Sequence, residues 1–202
     1  MSFKFALISA AILSILLISC SKQAEEPLPD LSGKRVVMII AHRDFRDEEL
    51  FEPRSILEGQ GAEVLVASSS LQIAKGMKGG TVKPDLLIDD VDVSEFDAVI
   101  FVGGVGASEY WENPKAHEIA RKAVELGKVV AAICIAPVTL ANAGVLEGRR
   151  ATVWPSESGR IVEKGAIYTG ADVEVDGNII TANGPSAAKE FAKAIARKLS
   201  SQ

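Results

Sequence analysis

The stretch Val129-Val130-Ala131-Ala132-Ile133-Cys134-Ile135-Ala136-Pro137 constrains this chain more than any other. Its first five residues are apolar, and apolar toward both faces, as in a central parallel strand. Pro137 opens the next segment, where a helix needs no N–H, and Gly144 closes it, where φ turns positive. Cys134 therefore falls on a sharp turn from strand to helix, the geometry of a nucleophile elbow with cysteine in place of serine. A thiol there faces backbone N–H groups and the positive end of a helix dipole, which predicts a stabilised thiolate. The alternative from the local pattern is a buried, inert cysteine.

The rest of the chain predicts strands and helices in alternation. Arg35–Ala41 is an apolar strand, followed by a loop at His42–Phe45. A helix over Asp47–Gly59 is acidic in its first turn, and Pro53 is expected to kink or delay it. Ala62–Ala67 returns as a strand, completing a right-handed βαβ unit. Leu71–Asp90, with its Gly79-Gly80 turn signal, reads as a small hairpin and an edge excursion. Asp97–Val102 is a buried strand ending at Gly103-Gly104-Val105-Gly106, and Asn113–Leu126 is the helix before the elbow strand. A short strand at Gly148–Trp154, a helix at Glu157–Lys164, a hairpin around Asp176-Gly177-Asn178 and a helix over Ser186–Leu199 complete the chain. The fold class is α/β, an open, mostly parallel sheet with helices on both faces. Ligands of such sheets bind beyond the carboxyl ends of the strands. Three segments lie there: His42–Phe45, Gly103-Gly104 and Cys134. The Gly-rich turn lacks the spacing of a nucleotide fingerprint, so close backbone approach to Cys134 is its better use.

The N-terminus has a different character. Lys4 and the apolar run Phe5–Ser19 read as a secretory signal peptide, slightly short for a spanning helix. Leu17-Ile18-Ser19-Cys20 resembles the bacterial lipobox. This implies cleavage before Cys20, a diacylglycerol on its sulfur and a cell-envelope lipoprotein at the periplasmic face of a membrane or the cell surface. A plain signal peptide or an uncleaved anchor is the alternative. Ser21 after Cys20 hints at outer-membrane sorting by the same resemblance. The expected divisions are residues 1–19 as signal peptide, 20–33 as lipid attachment and tether, and 34–200 as the α/β domain. With Cys20 lipidated, Cys134 is the one thiol of the mature chain and has no intrachain disulfide partner. A net charge of −5 without a basic stripe argues against nucleic acid as a partner. Two histidines and one free cysteine do not make a zinc site, so no metal or cofactor is expected.

Around Ala132-Ile133-Cys134-x-x-Pro137 the chain resembles the ThiJ/PfpI superfamily. Asp47-Glu48-Glu49-Leu50 with Pro53, Phe96-Asp97-Ala98 leading to Gly103-Gly104, and Ala143-Gly144-Val145-Leu146 with Gly148-Arg149 match in order and spacing. The resemblance runs from about Lys34 to Leu199. It implies a flavodoxin-like, doubly wound fold close to class I glutamine amidotransferases. It also implies Cys134 as nucleophile or oxidisable thiol, Glu49 as the carboxyl group beside it, and Gly104 and Ile135 as backbone N–H donors of an oxyanion hole. Members form homodimers or larger homo-oligomers in which a neighbouring subunit can complete the site. Glu109 lies near such a cross-subunit acid but is offset by one position. The chain departs from the pattern in its histidines. Protease-type members place histidine directly after the cysteine, where Ile135 stands, and others carry a later one near Trp154. His42, at a strand's carboxyl end, is the candidate accessory group, and His117 reads as an exposed surface residue.

The resemblance implies a cysteine-dependent activity on small reactive carbonyls or glycated groups, glyoxalase-like or deglycase-like, with a hydrolase or lyase mechanism. The alternatives are a redox or stress-responsive protein whose Cys134 is oxidised to sulfinic acid, a ligand-binding or chaperone-like envelope module, and a peptidase, disfavoured without an imidazole. The partners to expect are accordingly a small carbonyl compound or an oxidant, and the membrane through Cys20.

Overall fold

The computed structural model describes residues 27–202. The segment expected to be a signal peptide, the lipobox-like run and Cys20 lie outside the described residues. The chain forms β1 (Arg35–Ile40), β2 (Arg43–Phe45), α1 (Asp47–Gly59), β3 (Glu63–Ser68), β4 (Ala74–Gly76), β5 (Thr81–Val82) and β6 (Leu86–Leu87). It continues through β7 (Ala98–Phe101), α2 (Pro114–Glu125), β8 (Val129–Ile133), α3 (Pro137–Asn142), β9 (Arg150–Ala151) and α4 (Ser158–Glu163). It ends with β10 (Ile167–Tyr168), β11 (Val173–Asp176), β12 (Ile179–Ala182) and α5 (Ala188–Ser200).

The main sheet has the order β11-β12-β8-β7-β1-β3-β6. Every neighbouring pair is parallel except β11 with β12. This is the doubly wound, flavodoxin-like α/β architecture. Alternation along the strands builds two cores. Val37 and Ile39 of β1 face one, with Ile119 and Ala123 of α2 and Leu140 of α3. Val36, Met38 and Ile40 face the other, with Leu50 and Leu57 of α1 and Phe191, Ile195 and Leu199 of α5. All five β8 residues are buried, so that strand has apolar cover on both sides. The order reverses direction on either side of β1, and β7 and β8 end beside that switch point, where a crevice opens.

Several elements differ from expectation for local reasons. His42–Phe45 is not wholly loop: β2 pairs with β4, which pairs with β5, in a separate three-stranded sheet. Three residues are too few to show a period, and fully buried Phe45 anchors them. The Gly148–Trp154 strand contracts to β9 because the backbone beyond it bonds elsewhere. The N–H of Thr152 donates to Thr181 Oγ1 at 2.9 Å, and that of Trp154 to the Cys134 carbonyl at 2.8 Å. Helix α1 passes through Pro53 without interruption. Packing also starts before residue 34, inside the expected tether. Leu31 is 1% exposed, and its N–H donates to Gln60 O at 2.7 Å.

Candidate active site

Cys134 follows the last residue of β8 and has φ +63°. A side chain in this left-handed region costs about 1 kcal/mol or more, a strain that persists where the surroundings impose it. Here β8 holds one side, since Cys134 N–H donates to Ala182 O at 2.9 Å. On the other side Pro137 starts α3.

Glu49 reaches the thiol from the first turn of α1 and is fully buried. Gly103 lets the two meet. A Cβ at that position would lie 2.5 Å from Cys134 Cβ, 2.5 Å from Glu49 Oε2 and 2.7 Å from Ile133 O. The three acids of the Asp47-Glu48-Glu49 run have separate tasks. The Asp47 carboxylate accepts backbone N–H bonds from Lys78 at 2.7 Å and Gly80 at 2.6 Å, clamping the β4–β5 hairpin. Glu48 pairs with Arg46 through Nε at 2.8 Å and Nη2 at 3.2 Å. Only Glu49 turns to the cysteine.

Burial lifts the Glu49 carboxyl to about 8, against the opposing pull of the Cys134 thiol, the Arg46 charge and the Gly103 N–H. Its two oxygens are buried without a hydrogen bond of good geometry. Burial, followed by the Glu49 carboxylate, pushes the Cys134 thiol up to about 12. The N–H groups of Gly104 and Ile135 do favour the thiolate. Burial and the Glu49 carboxylate act against these donors and raise the thiol. A thiol beside an acid with a pKa near neutrality can transfer its proton as it reacts.

Each of these N–H groups belongs to a peptide unit fixed at its carbonyl end. The Gly103 carbonyl accepts from Arg46 N–H at 2.9 Å, which orients the peptide carrying Gly104 N–H. The Cys134 carbonyl accepts from Trp154 N–H at 2.8 Å, which orients the peptide carrying Ile135 N–H. Trp111 Nε1 adds a bond to Ile135 O at 3.2 Å. Cys134 borders a cavity of about 220 Å³ lined also by Arg46, Met77, Gly104, Val105, Ile135, Trp154 and Pro185. Arg46 is the only charged residue among them.

Other candidates fall elsewhere. His42 is half-buried, its Nδ1 is buried without a partner, and it is not among the residues lining this cavity. Glu109 accepts from Ser69 Oγ at 3.1 Å and is likewise not among them. His117 is half-buried rather than exposed, with Nε2 2.7 Å from Trp111 O. Among the described residues no cluster of His, Cys, Asp or Glu could hold a metal ion. Arg46 and Met77 are not legible as site residues, because no local pattern ties these positions to Cys134, and the Trp154 position is reached only through the resemblance, as the place where other members carry histidine.

A cysteine in left-handed conformation between a parallel strand and a helix, with a buried carboxyl group beside it, defines an elbow-type α/β protein. The family model for the DJ-1/PfpI family matches residues 34–198. The chain belongs to this family. It is 40% identical over 188 residues to MJ0967 of Methanocaldococcus jannaschii, an uncharacterized protein, covering 92% of this chain and 90% of that one. It is 40% identical over 149 residues to the deglycase PYRAB04690 of Pyrococcus abyssi, covering 74% and 90%. It is 31% identical over 166 residues to the glutathione-independent glyoxalase DJR-1.2 of Caenorhabditis elegans, covering 82% and 89%. A crystal structure of a ThiJ/PfpI domain protein from Brachyspira murdochii superposes with a TM-score of 0.82 at 36% identity, covering 84% and 99%.

Proposed function

We propose that this protein is a cysteine-dependent enzyme acting on small reactive carbonyls, glyoxalase-like or deglycase-like in its chemistry. The observation that carries the reading is the buried Glu49 carboxyl, raised toward neutrality, against the Cys134 thiol. Relatives named deglycase and glyoxalase support it.

With a 2-oxoaldehyde, Glu49 as carboxylate takes the thiol proton while sulfur bonds to the aldehyde carbon. The carbonyl electron pair moves to oxygen, which the N–H groups of Gly104 and Ile135 stabilise. Glu49 returns its proton to that oxygen, giving a hemithioacetal. As base again, Glu49 removes the hydrogen from the former aldehyde carbon, and the electrons pass through an enediolate. Reprotonation at the neighbouring carbon gives a thioester. Water hydrolyses it, releasing a 2-hydroxy acid and restoring the thiol. No imidazole is required, in keeping with Ile135 after the cysteine.

The test uses the full chain carrying Cys20→Ser, reduced, with methylglyoxal. The expected result is many turnovers to lactate, lost in Cys134→Ala and Glu49→Gln. Consumption of no more than one aldehyde per Cys134, without lactate, overturns the reading. The apolar run Phe5–Ser19 supports lipid anchoring at Cys20 in the cell envelope, which mass analysis of the native N-terminus tests. The exposed apolar Leu71, Ile73 and Val105 support a homo-oligomer, which light scattering tests.

A further inference from the structure

We infer that the cavity beside Cys134 is built for aryl 2-oxoaldehydes, with the Trp154 indole as the side chain that selects the ring. This rests on the carbonyl reading of the site and names its substrate class.

The two tryptophans of the chain are held differently. Trp111 is committed to the fold: its Nε1 donates to Ile135 O at 3.2 Å, and the Arg160 guanidinium lies 4.8 Å from its ring centre. Trp154 lines the cavity and stays 43% exposed, and its indole has no hydrogen-bond, ring or cationic partner among the described residues. Its backbone is nevertheless fixed. The N–H is bonded to the Cys134 carbonyl at 2.8 Å, and Pro155 restricts the residue before it to an extended ψ, which Trp154 adopts at 129°. The Gly184 backbone comes so close to the indole that a Cβ there would lie 2.8 Å from Cε3 and Cζ3. The ring is thus backed by chain at Gly184 while much of its surface stays open beside the nucleophile. An aromatic surface set in place before binding takes a flat partner at little entropic cost.

The other walls suit the same partner. Met77, Val105, Ile135 and Pro185 are apolar, and a thioether meets an aromatic edge favourably. Arg46, the one charged lining residue, is paired with Glu48, so an apolar group entering the cavity meets no unpaired charge. At about 220 Å³ the cavity falls below the volume of drug-sized sites and suits one ring with a two-carbon head. An aryl 2-oxoaldehyde bound at Cys134 carries its ring on the second carbonyl carbon. Trp154, tied through its own N–H to the Cys134 peptide, is the flat surface available to that ring. The chemistry balances as for any 2-oxoaldehyde. Sulfur bonds to the aldehyde carbon, the aldehyde hydrogen leaves as a proton to Glu49, a proton returns to the ring-bearing carbon, and water cleaves the thioester to a 2-hydroxy acid. The aldehyde carbon is oxidised and its neighbour reduced, so water is the only co-reactant.

The experiment compares phenylglyoxal, cyclohexylglyoxal and methylglyoxal by initial rate in the full-length, reduced Cys20→Ser protein and in its Trp154→Ala and Trp154→Phe variants. The expected kcat/KM for phenylglyoxal exceeds that for the other two. Its preference over methylglyoxal falls about tenfold in Trp154→Ala, chiefly through a higher KM for phenylglyoxal, and is partly kept in Trp154→Phe. A binding readout that needs no turnover runs beside it. Mandelate, the aryl product, is expected to protect Cys134 from iodoacetamide at a lower concentration than lactate, and to lose that advantage in Trp154→Ala. Cyclohexylglyoxal matching phenylglyoxal overturns the inference. So does a preference that Trp154→Ala leaves unchanged, and a changed oligomeric state of that variant in light scattering would then assign the indole to a subunit contact. No turnover of any of the three, with mandelate still protecting better than lactate through Trp154, overturns the carbonyl enzyme and leaves the aryl site standing.

Discussion

The backbone N–H of Trp154 donates to the carbonyl oxygen of Cys134 at 2.8 Å, 20 positions away in sequence. That carbonyl shares a peptide plane with the Ile135 N–H, so Trp154 sets the direction in which a donor meets the sulfur. Trp154 has φ −50°, a value proline accepts. Trp154→Ala removes the indole and keeps the N–H, whereas Trp154→Pro removes both. The proline variant is expected to lose about tenfold more kcat than the alanine variant, with circular dichroism confirming that both fold. Equal losses would show that the indole alone matters.

Alkylation of Cys134 by a neutral reagent is expected to rise with pH through an apparent pKa near 8, the range to which burial lifts Glu49. Below it, both groups hold their protons. Above it, the pair has lost one proton, and Glu49 can accept the proton that the attacking thiol must release. Glu49→Gln is expected to abolish this step. A profile that is flat from pH 6 to pH 9 would contradict the coupling.

Glu49 also links stability to pH. Its folded-state pKa is raised from 4.5 to about 8. Its contribution to stability is therefore complete below about pH 4.5 and is lost as pH climbs through 8, with an upper slope of about 1.4 kcal/mol per pH unit. Glu49→Gln has no such loss. The difference in unfolding free energy between variant and wild type is expected to grow by a few kcal/mol from pH 5 to pH 8, in favour of the variant. Urea unfolding at the two values measures it.

Gly103 faces both reacting groups, and a methyl group there would press on the Cys134 and Glu49 side chains at once. Gly103→Ala is expected to destabilise the fold by about 1–3 kcal/mol and to remove the turnover expected of the wild-type enzyme. Thermal unfolding and a methylglyoxal assay read the two effects separately.

The elbow is legible in the sequence because its signals are local. An apolar run, a cysteine, a proline and a closing glycine specify strand, turn and helix without reference to distant residues. Alternation of elements likewise fixes the class of sheet. Glu49 is harder to read, because in its own segment it is one of three acids at a helix start. Only the packing of α1 against α5 and β3, with Glu49 meeting Cys134 across Gly103, separates Asp47, which clamps a hairpin, and Glu48, which pairs with Arg46, from the acid that meets the thiol.

The sequence by itself determined the order of strands and helices and the position of Cys134 on a strained turn, since both follow from short-range periodicity and backbone preference. The tertiary structure decided which groups act on the thiol. The local helix dipole and N–H groups favour a thiolate, but burial and a carboxyl group brought from another element set the balance the other way. It also decided that Arg46 and Trp154 wall the cavity. Desolvation and long-range contact depend on what surrounds a residue in space, and neighbours in sequence do not reveal it.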